Sequence, residues 1–393
     1  MRIGIDAACW GNQRGYGRFT RGLLTALLAQ PTEHEFVFLI DSPTAAHVRL
    51  PAAAQVRVVP TSRAPTAAAA ADSNRSLADL RAMAVAVAQA RLDLLFFPSV
   101  YSYFPVVTRA KLILGIHDVI AEDYPAIIFP DRRRRLLWQL KSALGRLQSR
   151  YILTVSNYAR QGIIRTFRHP AERVFVIDEA PDPIFRPLAE SELDQAVLAR
   201  AGLAPGERFL IYLGGVNPHK NLPALIEALA ALRSRPTERD LRLLIVGEVE
   251  RDGFTPGYAS LQARISSLGM AHAVQFTGFI ADHELVHLLN AALVLVLPSL
   301  AEGFGLPAVE AAACGTPVVA TRNSPLPELL ADGGLFIDPT QPAELRAALA
   351  ALLDNEPQRL AMGRAAQAAA ARLSWDSSAR QMQALLAHVE GQR

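Results

Sequence analysis

Cysteine is scarce in this sequence. Only Cys9 and Cys314 occur among 393 residues, and both lie in apolar stretches. Two isolated cysteines exclude a disulfide-rich scaffold, and we interpret them as small buried hydrophobic side chains. This interpretation favours an intracellular setting.

Long apolar runs are also missing. No run reaches the roughly 18–20 residues that a membrane-spanning helix needs. A strand pattern begins at once, over residues 2–6, so no leader peptide is expected. The sequence therefore predicts a cytoplasmic protein, either soluble or attached peripherally at the inner face of the plasma membrane.

Neither sign of charge dominates. The 40 Lys and Arg residues stand against 37 Asp and Glu residues, a net charge of +3. This balance does not predict a partner among nucleic acids. One segment departs from it, because between Asp131 and Arg168 ten basic residues stand against one acidic residue.

That basic segment begins with a predicted amphipathic helix over residues 131–150. The helix opens with four consecutive arginines, Arg132 to Arg135. Its apolar positions are Leu136, Leu140, Leu144 and Leu147. Two interpretations stay open: a solvated basic face, or a surface attracted to anionic lipid or to a lipid-diphosphate acceptor.

The remaining pattern is an alternation of short apolar strands and helices, which predicts a parallel sheet. A fresh alternation begins after Pro181, Pro183 and Pro187, which mark a linker. We predict an α/β protein with two doubly wound, Rossmann-like domains facing across a cleft. Their predicted bounds are 1–183 and 184–372, followed by a final helical segment, 373–393.

The most informative stretch runs from Leu293 to Pro317. A buried apolar run is followed by a loop containing Glu302, and then by a short helix that starts near Gly305 and Leu306. Free backbone N–H groups at such a helix start form an anion site, here flanked by Glu302 and by Glu310 in the helix. This combination indicates a ligand with both phosphates and hydroxyls, such as a nucleotide sugar.

A second loop supports this hypothesis. Gly214 and Gly215 end a strand, and Lys220 follows just before a helix, where it can meet a phosphate as a point charge. His219 is interpreted as a surface residue beside Lys220. The sequence has no D-x-D motif, so a metal-chelated diphosphate is not expected, and Lys220 with helix-terminal amides must neutralise the leaving group.

The first half offers weaker signals. Gly15 and Gly17 lie in the first strand-to-helix turn, but position 20 is Thr, so the G-x-G-x-x-G dinucleotide pattern is incomplete. The turn is either a bare connection or a site for a phosphate or an acceptor. His117 directly follows a predicted strand, and is either a capped structural group or a substrate contact.

One motif match is set aside. Residues 283–287 form a literal H-E-x-x-H, the pattern of zinc proteases. No third histidine follows at metzincin spacing, because position 293 is Leu. We interpret the segment as an amphipathic helix whose His and Glu face solvent, and we predict no metal site.

Taken together, these motifs resemble the retaining family-4 glycosyltransferases with the GT-B fold. The resemblance spans nearly the whole chain and is most specific over residues 209–340. The segments that carry it are 15–18, 154–158, 214–221, 276–279, 302–310 and 315–320.

The resemblance implies a role for each residue of the second half. Glu310 would bind the ribose hydroxyls, Lys220 the diphosphate, and Glu302 would face the sugar. Phe304, Gly305 and Leu306 would offer backbone amides. The residues expected near the base are Gly278, Phe279 and Ile280.

In the first half, the resemblance implies that His117 meets the sugar and that the last helix returns to the N-terminal domain. The His117-Asp118 pair most resembles mannosyltransferases of bacterial surface-polysaccharide pathways. This implies a hexose donor such as GDP-mannose, no separate cofactor, and a glycan or polyprenyl-diphosphate-linked acceptor.

The sequence departs from the family at one position. Many members carry an arginine after the strand that ends at Leu213, as a second phosphate partner, where this chain has Gly215 and Val216. Arg14 or Arg18 is a candidate substitute. Two rival functions stay open: a nucleotide-sugar epimerase and a non-catalytic nucleotide-sugar sensor. The presence of Lys220 and both glutamates favours the enzyme.

Overall fold

The computed structural model describes residues 1–13, 15–62, 76–247 and 255–392. The predicted loop between Ser62 and Ser76 and the candidate Arg14 therefore lie largely or wholly outside the described residues. The chain divides into two compact units. Unit 1 comprises Met1–Glu179 and Ser374–Arg393, and unit 2 comprises Ala180–Leu373.

Unit 1 is built around a sheet of seven strands. Every neighbouring pair is parallel, in the order β3-β2-β1-β4-β5-β6-β7. The strands are β1 (Arg2–Asp6), β2 (Glu35–Asp41), β3 (Gln55–Val59), β4 (Leu94–Phe97), β5 (Lys111–Gly115), β6 (Tyr151–Thr154) and β7 (Val174–Val176). The central strands are apolar on both faces, because helices cover the sheet on each side.

The final helix of the chain belongs to unit 1, where it packs on the first helix. Gly22 makes this contact possible, since a Cβ there would lie 2.3 Å from a ring atom of Trp375. The described helices of unit 1 are α1 (Gly15–Ala29), α2 (Ser42–Ala45), α3 (Leu77–Gln89), α4 (Ile120–Asp123), α5 (Pro125–Ile128), α6 (Arg132–Gln148), α7 (Asn157–Phe167) and α16 (Trp375–Gly391).

Unit 2 repeats the plan with a sheet of six parallel strands. Their order is β10-β9-β8-β11-β12-β13. The strands are β8 (Phe209–Leu213), β9 (Arg242–Val246), β10 (Val274–Gly278), β11 (Val294–Leu297), β12 (Val318–Thr321) and β13 (Gly334–Ile337). The sequence pattern missed β13, an edge strand that starts with glycine.

Helices surround this second sheet as well. Those among the described residues are α8 (Gln195–Arg200), α9 (Leu222–Arg233), α10 (Thr255–Ser267), α11 (Asp282–Ala291), α12 (Leu306–Ala313), α13 (Leu326–Leu330), α14 (Pro342–Asp354) and α15 (Glu356–Ala370). The predicted fold class, α/β with two doubly wound parallel sheets, is confirmed. Within the described ranges, none of the helices is long and apolar enough to cross a membrane.

The basic helix forms as predicted, but its leucines do not face the core. The side that α6 buries consists of Trp138, Ser142 and Gly145. Leu140 and Leu147 are exposed, as are the other leucines of this helix. The hydrophobic period identifies an apolar face, but it does not say on which side of the helix the sheet lies.

Candidate active site

The two loops singled out in the second half meet at one place in unit 2. The strand order reverses between β8 and β11, which pair directly although two strands separate them in sequence. In open parallel sheets, ligands bind outside the carboxyl ends of the strands at such a reversal. Lys220 follows β8 and Glu302 follows β11, so both flank this point.

Lys220 and Glu302 form a largely buried ion pair. The Lys220 Nζ donates to Glu302 Oε1 at 2.7 Å, and Ser299 Oγ donates to the same oxygen at 2.6 Å. Burial alone would raise the pKa of the Glu302 carboxyl, but the Lys220 ammonium and both hydrogen bonds outweigh it. The pKa therefore lies below its ordinary value, and Glu302 is charged at neutral pH.

Backbone and side-chain contacts hold the two loops together. Asn221 adopts a left-handed conformation (φ 55°) between a short 3-10 turn and α9, which asparagine tolerates better than most residues. Its amide donates to the carbonyl oxygens of Pro298 at 3.2 Å and Pro339 at 3.0 Å. The Leu300 N–H donates to the His219 carbonyl oxygen at 2.8 Å. These contacts, from the Asn221 side chain and from the main chain, hold Lys220 beside Glu302.

Helix α12 begins as the sequence predicts. Gly305 precedes it in a left-handed conformation (φ 90°), and Pro307 occupies its first turn. The first N–H groups of a helix lack intrahelical acceptors, so Gly305 and Leu306 present the expected amides. Phe304 and Glu310 are buried. The structure thus places the predicted ribose ligand, Glu310, inside α12 on the same helix as the predicted anion site.

Three glycines line the carboxyl ends of neighbouring strands. Gly214 follows β8, Gly247 follows β9, and Gly278 ends β10, each with a positive φ. A Cβ on Gly247 would lie 2.2 Å from the Gly214 carbonyl oxygen, so this approach requires glycine. Next to this row, Phe279 is exposed and Ile280 is half-buried. Base binding by Gly278, Phe279 and Ile280 stays a prediction, and the close approach of Gly247 to Gly214 is a feature that the sequence pattern missed.

The buried side chain of Tyr212 supports Gly215. The Tyr212 hydroxyl donates to the Gly215 carbonyl oxygen at 2.7 Å. Tyr212 has no exposed surface, and burial followed by the nearby Glu302 charge raises the pKa of its hydroxyl. Ser299 and Tyr212 are supporting residues that the sequence analysis did not identify. The signal for Ser299 was its position, three residues before Glu302 on the same loop.

His219 is not the surface residue that the sequence suggested. Its Nδ1 is enclosed, with no hydrogen-bond partner in the part of the chain that the structure describes. Burial, aided by the neighbouring Lys220 charge, lowers the pKa of His219 to about 3. The imidazole is therefore neutral at physiological pH, and Lys220 is the cation that this loop brings to the ion pair.

In unit 1, His117 is held by the protein through one ring nitrogen, Nε2. Its Nε2 lies 2.9 Å from the Pro98 carbonyl oxygen, and its Nδ1 lies 3.7 Å from Glu179 Oε1. Phe19 packs against the ring edge. Burial lowers the pKa of His117 to about 4, although the bond to Pro98 raises it. This geometry supports the structural alternative, and the sugar contact stays a prediction.

Packing requires one of the two glycines in the first strand-to-helix turn. A Cβ on Gly17 would lie 1.9 Å from the Asn12 carbonyl oxygen, whereas no atom in the described part of the chain lies within 4 Å of the same position on Gly15. Between them, the Tyr16 ring stacks on Tyr101, with centroids 5.6 Å apart. Gly17 thus serves packing, and a ligand role for Gly15 and Gly17 stays a prediction.

The H-E-x-x-H segment lies on α11, and its side chains have other partners. Glu284 pairs with Arg200 at 2.6 Å, and His287 Nδ1 accepts from the Asp194 N–H at 3.2 Å. Over the residues described, no group of three or more His, Cys, Asp or Glu side chains is arranged to hold a metal ion.

Two family models together cover most of the chain. The model described as "Glycosyltransferase Family 4" matches residues 14–183, and "Glycosyl transferases group 1" matches residues 195–369. The first match falls almost wholly in unit 1, and the second falls in unit 2 and contains Lys220, Glu302 and Glu310.

Similar proteins agree with these models. The chain is 31% identical over 268 residues to O-antigen chain mannosyltransferase B of Escherichia coli, covering 68% of each chain. It is 38% identical over 188 residues to D-inositol 3-phosphate glycosyltransferase of Segniliparus rotundus, covering 47% of this chain and 40% of that protein. It thus spans less than half the length of this second relative.

A solved structure shows the same fold over the whole length. HepE from Anabaena, in complex with UDP-glucose, matches with a TM-score of 0.75 at 20% identity, covering 98% of this chain and 99% of that one. The GT-B type expected from the resemblance is confirmed. The chain belongs to the glycosyltransferases, with a family-4 first half and a group-1 second half.

Proposed function

We propose that the protein is a retaining hexosyltransferase of cell-surface polysaccharide synthesis. It would move a hexose, with mannose the first candidate, from a nucleoside-diphosphate sugar to a glycan or a polyprenyl-diphosphate-linked acceptor. The observation on which the proposal chiefly rests is the Lys220–Glu302 pair at the strand reversal of unit 2, where an anion-binding helix start also lies.

The chemistry follows from the groups at this site. An ammonium has three N–H donors, so Lys220 can keep Glu302 as a partner and still donate to a diphosphate. The amides of Gly305 and Leu306 add dipoles where the negative charge of the leaving group grows. The acceptor hydroxyl attacks from the leaving-group face, and a phosphate oxygen takes its proton. Glu302 orients the sugar or supports its developing positive charge.

Two of the similar proteins bear on the base and the sugar of the donor. The mannosyltransferase relative supports mannose, and HepE was solved with UDP-glucose, so both guanine and uracil nucleotides are candidates. A thermal-shift panel of GDP, UDP and ADP sugars distinguishes them. We expect GDP-mannose to raise the melting temperature most. A larger shift with a UDP or ADP sugar would replace the base assignment and leave the transferase assignment intact.

The residue roles are tested by two substitutions. We expect Lys220→Ala and Glu310→Ala each to lower transfer activity on the order of 100-fold or more, because each removes a donor contact, while the circular dichroism spectrum stays native. Arg346→Ala, an exposed position of unit 2, is the matched control. Normal turnover by purified Lys220→Ala protein would refute the phosphate assignment.

The rival functions predict different products. A sensor would bind the donor tightly but release no nucleoside diphosphate with any acceptor, and an epimerase would change the sugar without an acceptor.

Since the sequence has no D-x-D motif, we also propose that transfer needs no metal and that activity persists in EDTA. We place the reaction at the cytoplasmic face of the membrane, where lipid-diphosphate acceptors are exposed to cytoplasmic nucleotide sugars.

A further inference from the structure

Glu179 is a buried acidic residue to which the proposed transfer chemistry gives no role, and it lies beside His117. Its side chain is 4% exposed, and its Oε1 lies 3.7 Å from His117 Nδ1. Glutamate is rarely buried so completely, because removing a carboxyl group from water is costly. Its place beside the ring makes Glu179 a candidate for holding His117 in position.

The His117 ring offers one nitrogen to a ligand. The Pro98 carbonyl oxygen can only accept, so its 2.9 Å contact with Nε2 assigns the ring proton to Nε2. In the neutral ring, Nδ1 then carries the lone pair, and at 3.7 Å it lies beyond hydrogen-bonding distance from Glu179. Nδ1 is therefore the ring atom that can accept a hydrogen bond from a sugar hydroxyl.

The final helix of the chain, α16, holds the residue before Glu179 at three points. Gln381 Oε1 accepts from the Asp178 N–H at 2.9 Å, and Gln381 Nε2 donates to the Asp178 carboxylate at 2.8 Å. Ser378 Oγ donates to the Asp178 carbonyl oxygen at 2.6 Å. The backbone and the side chain of Asp178 are both fixed, so the position of the next residue, Glu179, depends on α16.

A second series of contacts connects α16 with His117 through aromatic rings. Trp375 lies edge-on to Phe19, with centroids 6.3 Å apart, and Phe19 lies edge-on to His117 at 4.8 Å. Phe19 has no exposed surface, so it cannot move without repacking its neighbours. The same helix thus fixes two residues that lie against the ring.

We propose that α16 positions His117 for the sugar, with Gln381 and Glu179 as positioning residues. Gln381 fixes Asp178, and Glu179 then lies against Nδ1 and keeps the ring oriented for a hydroxyl group. The inference rests on the proposed function, because it takes a sugar hydroxyl as the partner of Nδ1. A contact of this kind needs the ring placed within about 0.5 Å, which a buried neighbour on a fixed backbone supplies.

Nitrogen-15 NMR of the histidine rings in the full chain tests the position of His117 without a transfer assay. The His117 signals are identified by their loss in His117→Gln. We expect Gln381→Glu, which places a second carboxylate against Asp178, to shift these signals. It should also lower kcat on the order of 10- to 100-fold, because small misplacements of a contacting group have effects of this size. KM for the nucleotide sugar should change little, since the proposed diphosphate contacts lie in unit 2.

A compensating substitution should rescue this variant. In Asp178→Asn/Gln381→Glu the introduced carboxylate accepts from the backbone N–H of residue 178 and from the introduced amide, so both hydrogen bonds are rebuilt. The ring signals and kcat should return to their native values. Gln383→Glu is the matched control, because it adds the same charge to α16 at a residue that contacts Pro31 and not Asp178. It should change neither quantity.

Glu179→Ala tests the contact directly and leaves the contacts of Gln381 with Asp178 in place. It should lower kcat as Gln381→Glu does, and the two substitutions together should lower it no further, because both act through one contact. A native kcat in Glu179→Ala would overturn the proposal, even if Gln381→Glu does not fold.

A loss of kcat in Gln381→Glu with unshifted ring signals would also overturn the proposal, because α16 would then serve only stability. The melting temperature of each variant shows how much of that loss is due to unfolding. A native protein that transfers no sugar would contradict the proposed function instead. The ring signals of Gln381→Glu and of the rescued variant would still decide whether α16 positions His117.

Discussion

The Glu302 carboxylate is stabilised in its buried position by the Lys220 ammonium and by the hydrogen bond from the Ser299 hydroxyl. Removing a charged residue from water costs several kcal/mol, which a partner at 2.7 Å offsets. The pKa of Glu302 is lowered, so its contribution to stability is present above the ordinary carboxyl pKa and is lost as pH falls through the folded value.

Lys220→Ala should therefore destabilise unit 2 at neutral pH. We expect a loss of about 2–3 kcal/mol in the free energy of unfolding, because a buried carboxylate then lacks its cation. The loss should shrink as pH falls, because burial raises the pKa of the unpaired carboxyl, which then takes up a proton. Urea unfolding followed by circular dichroism measures it.

The double variant Lys220→Ala/Glu302→Gln is the control for this prediction. It removes both charges and should recover most of the lost stability. A Lys220→Ala protein as stable as the native one at neutral pH would show that the pair does not contribute in solution.

At His117 the pKa is shifted by burial and not by an ion pair, because burial disfavours the charged form of the ring. Its pKa is about 4 in the folded chain against 6.5 ordinarily, so between these values the unfolded state binds more protons. Stability therefore falls as pH is lowered through this window, by about 2 kcal/mol between about pH 7 and pH 5. His117→Gln should remove this part of the slope.

Tryptophan fluorescence is the suitable measurement for His117. The three tryptophans, Trp10, Trp138 and Trp375, all lie in unit 1 with His117, so the signal reports unfolding of that unit. Other titrating groups are common to both proteins and cancel in the comparison. Equal pH slopes for native and His117→Gln proteins would contradict the buried neutral ring.

For individual residues, the sequence predicted which loops carry the site residues better than it predicted how buried each side chain is. It identified Lys220, Glu302 and the glycines because residue type and strand-to-helix spacing restrict what such loops can do. It did not identify Ser299 as a partner of Glu302, and it placed His219 at the surface. Burial of a loop side chain depends on which neighbouring loops cover it, and one sequence does not contain that information.

Gly278 ends strand β10 and Gly305 precedes helix α12. Comparing the two glycines separates the free-energy cost of a left-handed backbone from the cost of close packing. Gly278 has a φ of 72°, and a Cβ added there would have no atom of the described residues within 4 Å, so Gly278→Ala should cost about 1–2 kcal/mol from the left-handed conformation. Gly305 has a φ of 90°, and a Cβ there would lie 2.8 Å from a Leu326 methyl. Gly305→Ala should cost about 1–3 kcal/mol more, because Leu326 must move.

Urea unfolding of both alanine variants, followed by circular dichroism, tests this difference. The two positions have the same backbone restriction, so their comparison isolates the contact with Leu326. Equal costs would mean that Leu326 relaxes freely, and α12 would then not depend on a glycine for close packing at its start.

Helix α6 shows the limit of periodicity at the level of an element. Its apolar period and its basic first turn were visible in the sequence, and the helix forms at Arg132–Gln148. The side that faces the sheet carries Trp138, Ser142 and Gly145, and Gly145 allows close approach to β5. A pattern of leucines could not reveal this, because the usual surface helix places them inward.

At the level of the whole molecule, the same plan occurs twice. In each unit the third, second and first strands lie in that order beside the fourth, so each sheet has one reversal, at β1/β4 and at β8/β11. The alternation of strands and helices predicted this arrangement, since right-handed crossovers leave few alternatives. The sequence missed β13 because an edge strand is short and half-covered.

Unit 2 holds the predicted phosphate and ribose contacts, Lys220, Gly305, Leu306 and Glu310, beside its reversal, so a nucleoside diphosphate should act locally. We expect GDP or UDP to slow hydrogen exchange in peptides covering 212–222 and 303–310. Peptides of unit 1, including α6, should be unchanged. Hydrogen-exchange mass spectrometry measures each peptide separately, which makes the whole chain its own control.

The substitution Glu310→Ala completes this experiment. It removes the predicted ribose ligand without changing the loop after β8, so protection should be lost from both peptides if they share one ligand. In the native protein, protection of peptide 212–222 without protection of peptide 303–310 would mean that Glu310 does not contact the nucleotide. Protection confined to the turn around Gly15 and Gly17 would move the nucleotide to unit 1 and would exchange the roles proposed for the two units.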